Sequence, residues 1–102
     1  MLSFLKKLFS PGPGVDYVAL VEQGAQIIDV RTKPEFASGH IKGSINIPLQ
    51  ELEQNLKKID KSKPVITCCA SGMRSSSATS ILNARGYQAY NGGGWASLRN
   101  AM

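Results

Sequence analysis

The chain has 102 residues, 42% of them hydrophobic and 19% charged, with 12 Lys and Arg against 7 Asp and Glu for a net charge of +5. That length holds one hydrophobic core, and the composition excludes a disordered or repeat architecture. A single His argues against a His-based metal cage, and no apolar run approaches the ~20 residues that span a bilayer.

Met1 to Ser10 is amphipathic: Met1, Leu2, Phe4, Leu5, Leu8 and Phe9 share one helical face, and Ser3, Lys6, Lys7 and Ser10 the other. The segment is expected to pack on the domain, with weak contact to a membrane surface or a partner as the alternative. Lys6 and Lys7 interrupt the apolar stretch and no small-residue cleavage site follows, so a secretion signal is not read and a cytoplasmic location is expected. Pro11-Gly12-Pro13-Gly14 breaks the chain, dividing a 1–14 segment and linker from a domain over 15–102.

Asp16 is placed as an N-cap, with Val15 and Leu20 as its hydrophobic staple, for a helix ending near Gln23 and Gly24. Ala25 to Val30 reads as a buried strand. Thr32 and Glu35 form a capping box, Pro34 is tolerated in the first turn, and that short helix stops at Gly39. Ser44 to Ile47 is a second strand, closed by Pro48. Leu49, Leu52, Leu56 and Ile59 form the stripe of a third helix, and Lys57 to Lys63 its solvated end and loop. Pro64 to Cys68 is a third strand. Arg74 to Arg85 is a helix with Ala78, Ile81 and Leu82 inward and Gly86 as its stop. Gln88 to Asn91 is a last strand, Gly92-Gly93-Gly94 a flexible turn, and a terminal helix starts at Trp95. Alternating strands and helices predict an α/β fold, a small parallel sheet with helices on both faces. Ligands bind such sheets beyond the carboxyl ends of the strands, where Cys68 and Cys69 fall.

The two cysteines are adjacent, which suits neither a disulfide scaffold nor zinc-ligand spacing. Free thiols in a reducing compartment remain. In Cys69-Ala70-Ser71-Gly72-Met73-Arg74, a loop wrapped around the sulfur would turn its N–H groups inward and set the positive end of the next helix behind it. Both favour a thiolate. Gly72 permits the tight turn, Arg74 can fork onto an anionic substrate or the backbone, and Ser71 and Ser75 add hydroxyl donors. An inert buried cysteine before a helix is the plain alternative.

Three stretches together resemble the rhodanese family of sulfurtransferases. They are Ile28-Asp29-Val30-Arg31 with Glu35-Phe36 and Gly39 through Pro48; Cys69 through Ser75; and Asn91-Gly92-Gly93 with Trp95. The resemblance implies a three-layer rhodanese-like fold and a persulfide on Cys69. The sulfur would come from an anionic donor such as thiosulfate and pass to cyanide or a thiol, with a protein acceptor as a further partner. It implies substrate contacts from Ala70, Ser71, Gly72, Met73, Arg74 and Ser75, and supporting roles for Asp29, Arg31 and Trp95. His40 is expected to fix a turn. No metal, organic cofactor or nucleic acid is expected, and the domain is expected to be a monomer.

Two departures stand out. Many loops of the family carry a basic residue where this chain has Ala70, which leaves Arg74 as the loop's cation. Cys68 also opens a rival register, one residue longer to Arg74, which is the spacing of cysteine phosphatases and the related cell-cycle phosphatases; phosphatase or arsenate-reductase-like chemistry through Cys68 is the third functional reading. The position of Gly72, three after Cys69, favours the shorter register, with Cys68 as core filler and a resolving thiol as its alternative. A sulfur-carrier or redox-regulatory module is the second functional reading.

Overall fold

The computed structural model describes residues 14–102. The amphipathic segment Met1–Ser10 and most of the linker lie outside the described residues. The first helix, α1 (Tyr17–Glu22), is capped as expected: the Asp16 side chain accepts from the Ala19 N–H at 3.0 Å. Strand β1 (Gln26–Asp29) leads to α2 (Lys33–Ala37), whose capping box is complete: Thr32 N–H donates to the Glu35 carboxylate and Glu35 N–H to Thr32 Oγ1. A two-residue strand β2 (Ile45–Asn46) follows.

The third α-helix does not form. Two 3₁₀ segments, Leu49–Gln54 and Leu56–Lys58, replace it. The stripe 49, 52, 56, 59 has spacings of three, four and three. In a 3₁₀ turn residues three apart eclipse, so Leu49 pairs with Leu52 and Leu56 with Ile59. Asn55, with φ −124°, absorbs the odd residue between them. Leu52 and Ile59 are buried all the same, so the stripe was right and its backbone was not.

Strand β3 (Val65–Cys69) is buried throughout, as a central parallel strand must be. Helix α3 (Met73–Ala84) includes Met73, which was expected in the loop. Its Ser-rich sequence has modest helix propensity, but Ser75, Ala78, Thr79 and Leu82 recur on one buried face. Their small size draws the helix close to the sheet, where Thr67 Oγ1 lies 2.8 Å from Thr79 Oγ1. The glycine run is strand rather than flexible turn: β4 spans Ala89–Gly94 and α4 (Trp95–Ala101) follows directly. A Cβ on Gly92 would stand 2.7 Å from the Thr67 carbonyl oxygen and 2.8 Å from Leu98 Cδ2, so glycine here permits close backbone approach.

All four strands are parallel, in the order β2-β1-β3-β4. One face of the sheet packs on α3 and the 3₁₀ segments through Ile28, Val30, Val65, Ala78 and Leu82. The other packs on α1 and α4 through Tyr17, Leu20, Ile66, Tyr90 and Leu98. The result is the expected three-layer α/β arrangement. Between β3 and β4 the register shifts: Thr67 pairs with Asn91, yet Cys69 pairs with Gly94. The extra β4 residue is a bulge at the carboxyl end of the central strand. Among the described residues, no helix is long and apolar enough to cross a membrane.

Candidate active site

Successive side chains of a strand point to opposite faces, and this separates the two thiols. Cys68 joins the α1/α4 layer with Ile66, Tyr90 and Leu98, wholly buried. Burial pushes its thiol up to about 12, with the Asp29 charge adding to the effect. Cys69 belongs to the α3 layer, at the mouth of the loop. The two sulfurs therefore look into different halves of the protein, and the longer register centred on Cys68 has no loop around its sulfur.

The loop closes on Cys69. Gly72 N–H donates to Cys69 Sγ at 2.9 Å and Ser75 N–H at 3.3 Å. Helix α3 begins without a side-chain cap: Gly72, at φ +104°, holds the N-cap position. The sulfur takes that place by accepting an N–H of the first helical turn, a group otherwise without an intrahelical partner. Burial raises the Cys69 pKa. The Ser75 hydroxyl and the N–H groups of Ser75, Gly72 and Ser71 lower it, and the net direction is down. Together these hydrogen bonds outweigh desolvation.

Ser75 Oγ stands 3.4 Å from the sulfur. It donates to Asn91 Oδ1 at 2.7 Å and lies 3.0 Å from the Gly72 carbonyl oxygen. Asn91 Oδ1 also accepts from Gly93 N–H at 2.9 Å. One side-chain amide thus ties β4 to the helix start, a role not assigned to Asn91 from sequence. The local signal was an Asn two residues before a glycine, the spacing of an Asx-turn.

Arg74 does not reach toward the sulfur's open side unaccompanied. Its guanidinium forks onto the Glu35 carboxylate at 2.8 and 3.0 Å. That pairing, with hydrogen bonds from Thr32, takes Glu35 from 4.5 down to about 2. Glu35 was expected only as a capping residue; it also neutralises the loop's cation. Ala70 and Ser71 are exposed on the rim, and Met73 projects into solvent at 80% exposure.

Asp29 and Arg31 form a buried ion pair. Arg31 donates from its backbone N–H, Nε and Nη2 to the Asp29 carboxylate, the last at 2.7 Å, and from Nη2 to the Gly39 carbonyl at 2.7 Å. Asn46 Nδ2 donates to the Asp29 and Arg31 carbonyls. Two guanidinium groups lie over the Trp95 ring, Arg31 at 4.8 Å and Arg99 at 5.0 Å from its centroid. His40 stacks on Phe36 at 3.7 Å, with Nδ1 2.7 Å from the Phe36 carbonyl oxygen. These residues brace the ends of β1 and α2, while the N–H groups that bond Cys69 Sγ belong to Gly72 and Ser75. Among the described residues no cluster of His, Cys, Asp or Glu could hold a metal ion.

The sequence profile of the rhodanese-like domain matches residues 15–101. The chain belongs to the rhodanese-like domain family. It is 45% identical over 62 residues to the uncharacterized protein YqhL of Bacillus subtilis, a match covering 61% of this chain and 49% of that one. It is 36% identical over 69 residues to the thiosulfate sulfurtransferase GlpE of Pseudomonas fluorescens, covering 68% of this chain and 63% of the relative. The match thus spans about half to two thirds of these relatives. Among solved structures, the reduced CoADR-RHD of Bacillus anthracis superposes with a TM-score of 0.73 at 38% identity, over 84% of this rhodanese-like chain and 15% of the other. The human single-domain sulfurtransferase TSTD1 superposes with a TM-score of 0.71 at 27% identity, over 92% and 96% of the two chains.

Proposed function

We propose that this rhodanese-like domain is a sulfurtransferase that carries sulfane sulfur as a persulfide on Cys69. The observation that carries the reading is the set of N–H groups converging on one sulfur, with the net direction of its pKa downward despite burial. The Cys69 thiolate attacks the outer sulfur of a donor. With thiosulfate, the donor S–S bond breaks and sulfite leaves with the electron pair. The terminal persulfide sulfur enters the space bounded by the loop N–H groups, which stabilise its negative charge. Cyanide or a thiolate then attacks that terminal sulfur and Cys69 leaves as the thiolate again. Ala70 to Met73 form the rim, Ser75 supplies a hydroxyl, and Arg74 ties the loop to α2 through Glu35. Asp29, Arg31 and Trp95 brace the floor. A reducing compartment suits both free thiols.

Thiocyanate release from thiosulfate and cyanide tests this. Cys69→Ala should abolish it and Cys68→Ala should largely keep it; the reversed pattern would falsify the assignment. A second reading has one specific support. The putative sulfur carrier protein YrkF of Bacillus subtilis is 30% identical over 67 residues, covering 66% of this chain and 36% of that one. As a carrier, the domain would load Cys69 in a single turnover and release sulfur only to a docked protein thiol.

A further inference from the structure

The loop from Ala70 to Ser75 contains one titratable side chain, Arg74. Both terminal nitrogens of its guanidinium are engaged by the two oxygens of Glu35. Glu35 stays ionised down to a pH of about 2, because Arg74 and Thr32 hold its carboxylate. Among the described residues, the loop's own cation is therefore already paired with a carboxylate. Beside it lies a cavity of about 270 Å³ lined by Val30, Thr32, Pro48, Leu49, Gln50 and Arg74. Its walls are mainly apolar, and Thr32 and Gln50 add neutral polar groups. The cavity adjoins the root of the loop: Val30 N–H donates to the Cys68 carbonyl at 2.9 Å.

Among the described residues, the loop offers a dianion such as thiosulfate no unpaired cation. At Arg74 the dianion must compete with a carboxylate that already holds two of the five guanidinium N–H groups in bidentate geometry. An organic donor with one charge on its reacting end loses less, and it gains by seating its apolar part against Val30, Pro48 and Leu49. Resting on the reading of Cys69 as the sulfur carrier, we infer that this site selects organic, singly charged sulfane donors over inorganic dianionic ones, and that Glu35 is the residue that sets the discrimination through Arg74. An organic thiosulfonate fits the chemistry. The Cys69 thiolate attacks its outer sulfur, the S–S bond breaks, and the sulfinate leaves with the electron pair, giving the same persulfide.

The experiment compares thiosulfate with benzenethiosulfonate, cyanide being the acceptor, in the full chain and in Glu35→Gln and Leu49→Ala. Gln preserves the capping-box geometry, and thermal melts check that each variant folds. Glu35→Gln should raise kcat/KM for thiosulfate on the order of fivefold, the size of one exposed ion contact, through KM and with kcat little changed. Its benzenethiosulfonate values should move much less. Leu49→Ala should lower kcat/KM for benzenethiosulfonate by roughly tenfold and leave thiosulfate nearly unchanged. Equal responses of both donors to each variant would overturn the inference while leaving the Cys69 reading intact. Failure of both donors to place sulfur on Cys69 in the unmodified chain would overturn that reading, and the inference with it.

Discussion

Two thiols one residue apart lie on opposite faces of β3, and the chemistry of each follows from its face. Cys68, held up at about 12 by burial, stays a neutral thiol. Cys69 has a depressed pKa, so its thiolate contributes stability that is present above the unfolded thiol pKa of about 8.5 and is lost as pH falls through the lower folded value. Iodoacetamide should therefore label one cysteine in the native protein, with a rate that levels off at lower pH than for a free thiol, and both cysteines in denaturant. Ser75→Ala should move that inflection upward by removing the side-chain hydrogen bond that lowers the Cys69 pKa; an unchanged inflection would remove Ser75 from the account. Glu35 follows the same sign. Its folded pKa is lowered from 4.5 to about 2, so its contribution is full above the unfolded value and lost as pH falls through 2. The melting temperatures of the natural chain and Glu35→Gln should therefore converge between roughly pH 4.5 and pH 2.

At the scale of elements, the signals that were legible are those that local hydrogen bonding decides. Asp16 caps α1, and Thr32 with Glu35 boxes α2, because each partner lies within one turn. The 3₁₀ segments were not legible: a three-four-three spacing of leucines fits an α-helix and two broken turns alike, and only Asn55's backbone separates them. The glycine run read as flexible because glycine favours turns. Its actual cause is tertiary, the contact of β4 with the Thr67 carbonyl and Leu98. Gly92→Ala should accordingly cost on the order of 1–3 kcal/mol, measured by chemical denaturation; a neutral effect would mean that β4 can shift away. Asp29→Asn leaves the Arg31 guanidinium buried with its charge uncompensated and should cost about 3–5 kcal/mol.

For the whole molecule, the parallel sheet places its central strand's carboxyl end, a bulge and a helix start at one point, and Cys69 occupies it. Cys69, Gly72 and Ser75 were readable because they lie within one seven-residue stretch. Glu35 and Asn91 were not recognised as part of the site, because their contacts to Arg74 and Ser75 span 39 and 16 residues and exist only after folding. The amide cradle around Cys69 is tested most directly by intact mass after incubation with a sulfane donor, followed by mapping of the added sulfur. One extra sulfur atom on Cys69 is expected in the natural chain and in Cys68→Ala, and none in Cys69→Ala. Sulfur on Cys68, or an unmodified protein under conditions that load a persulfide-forming sulfurtransferase run beside it, would contradict it.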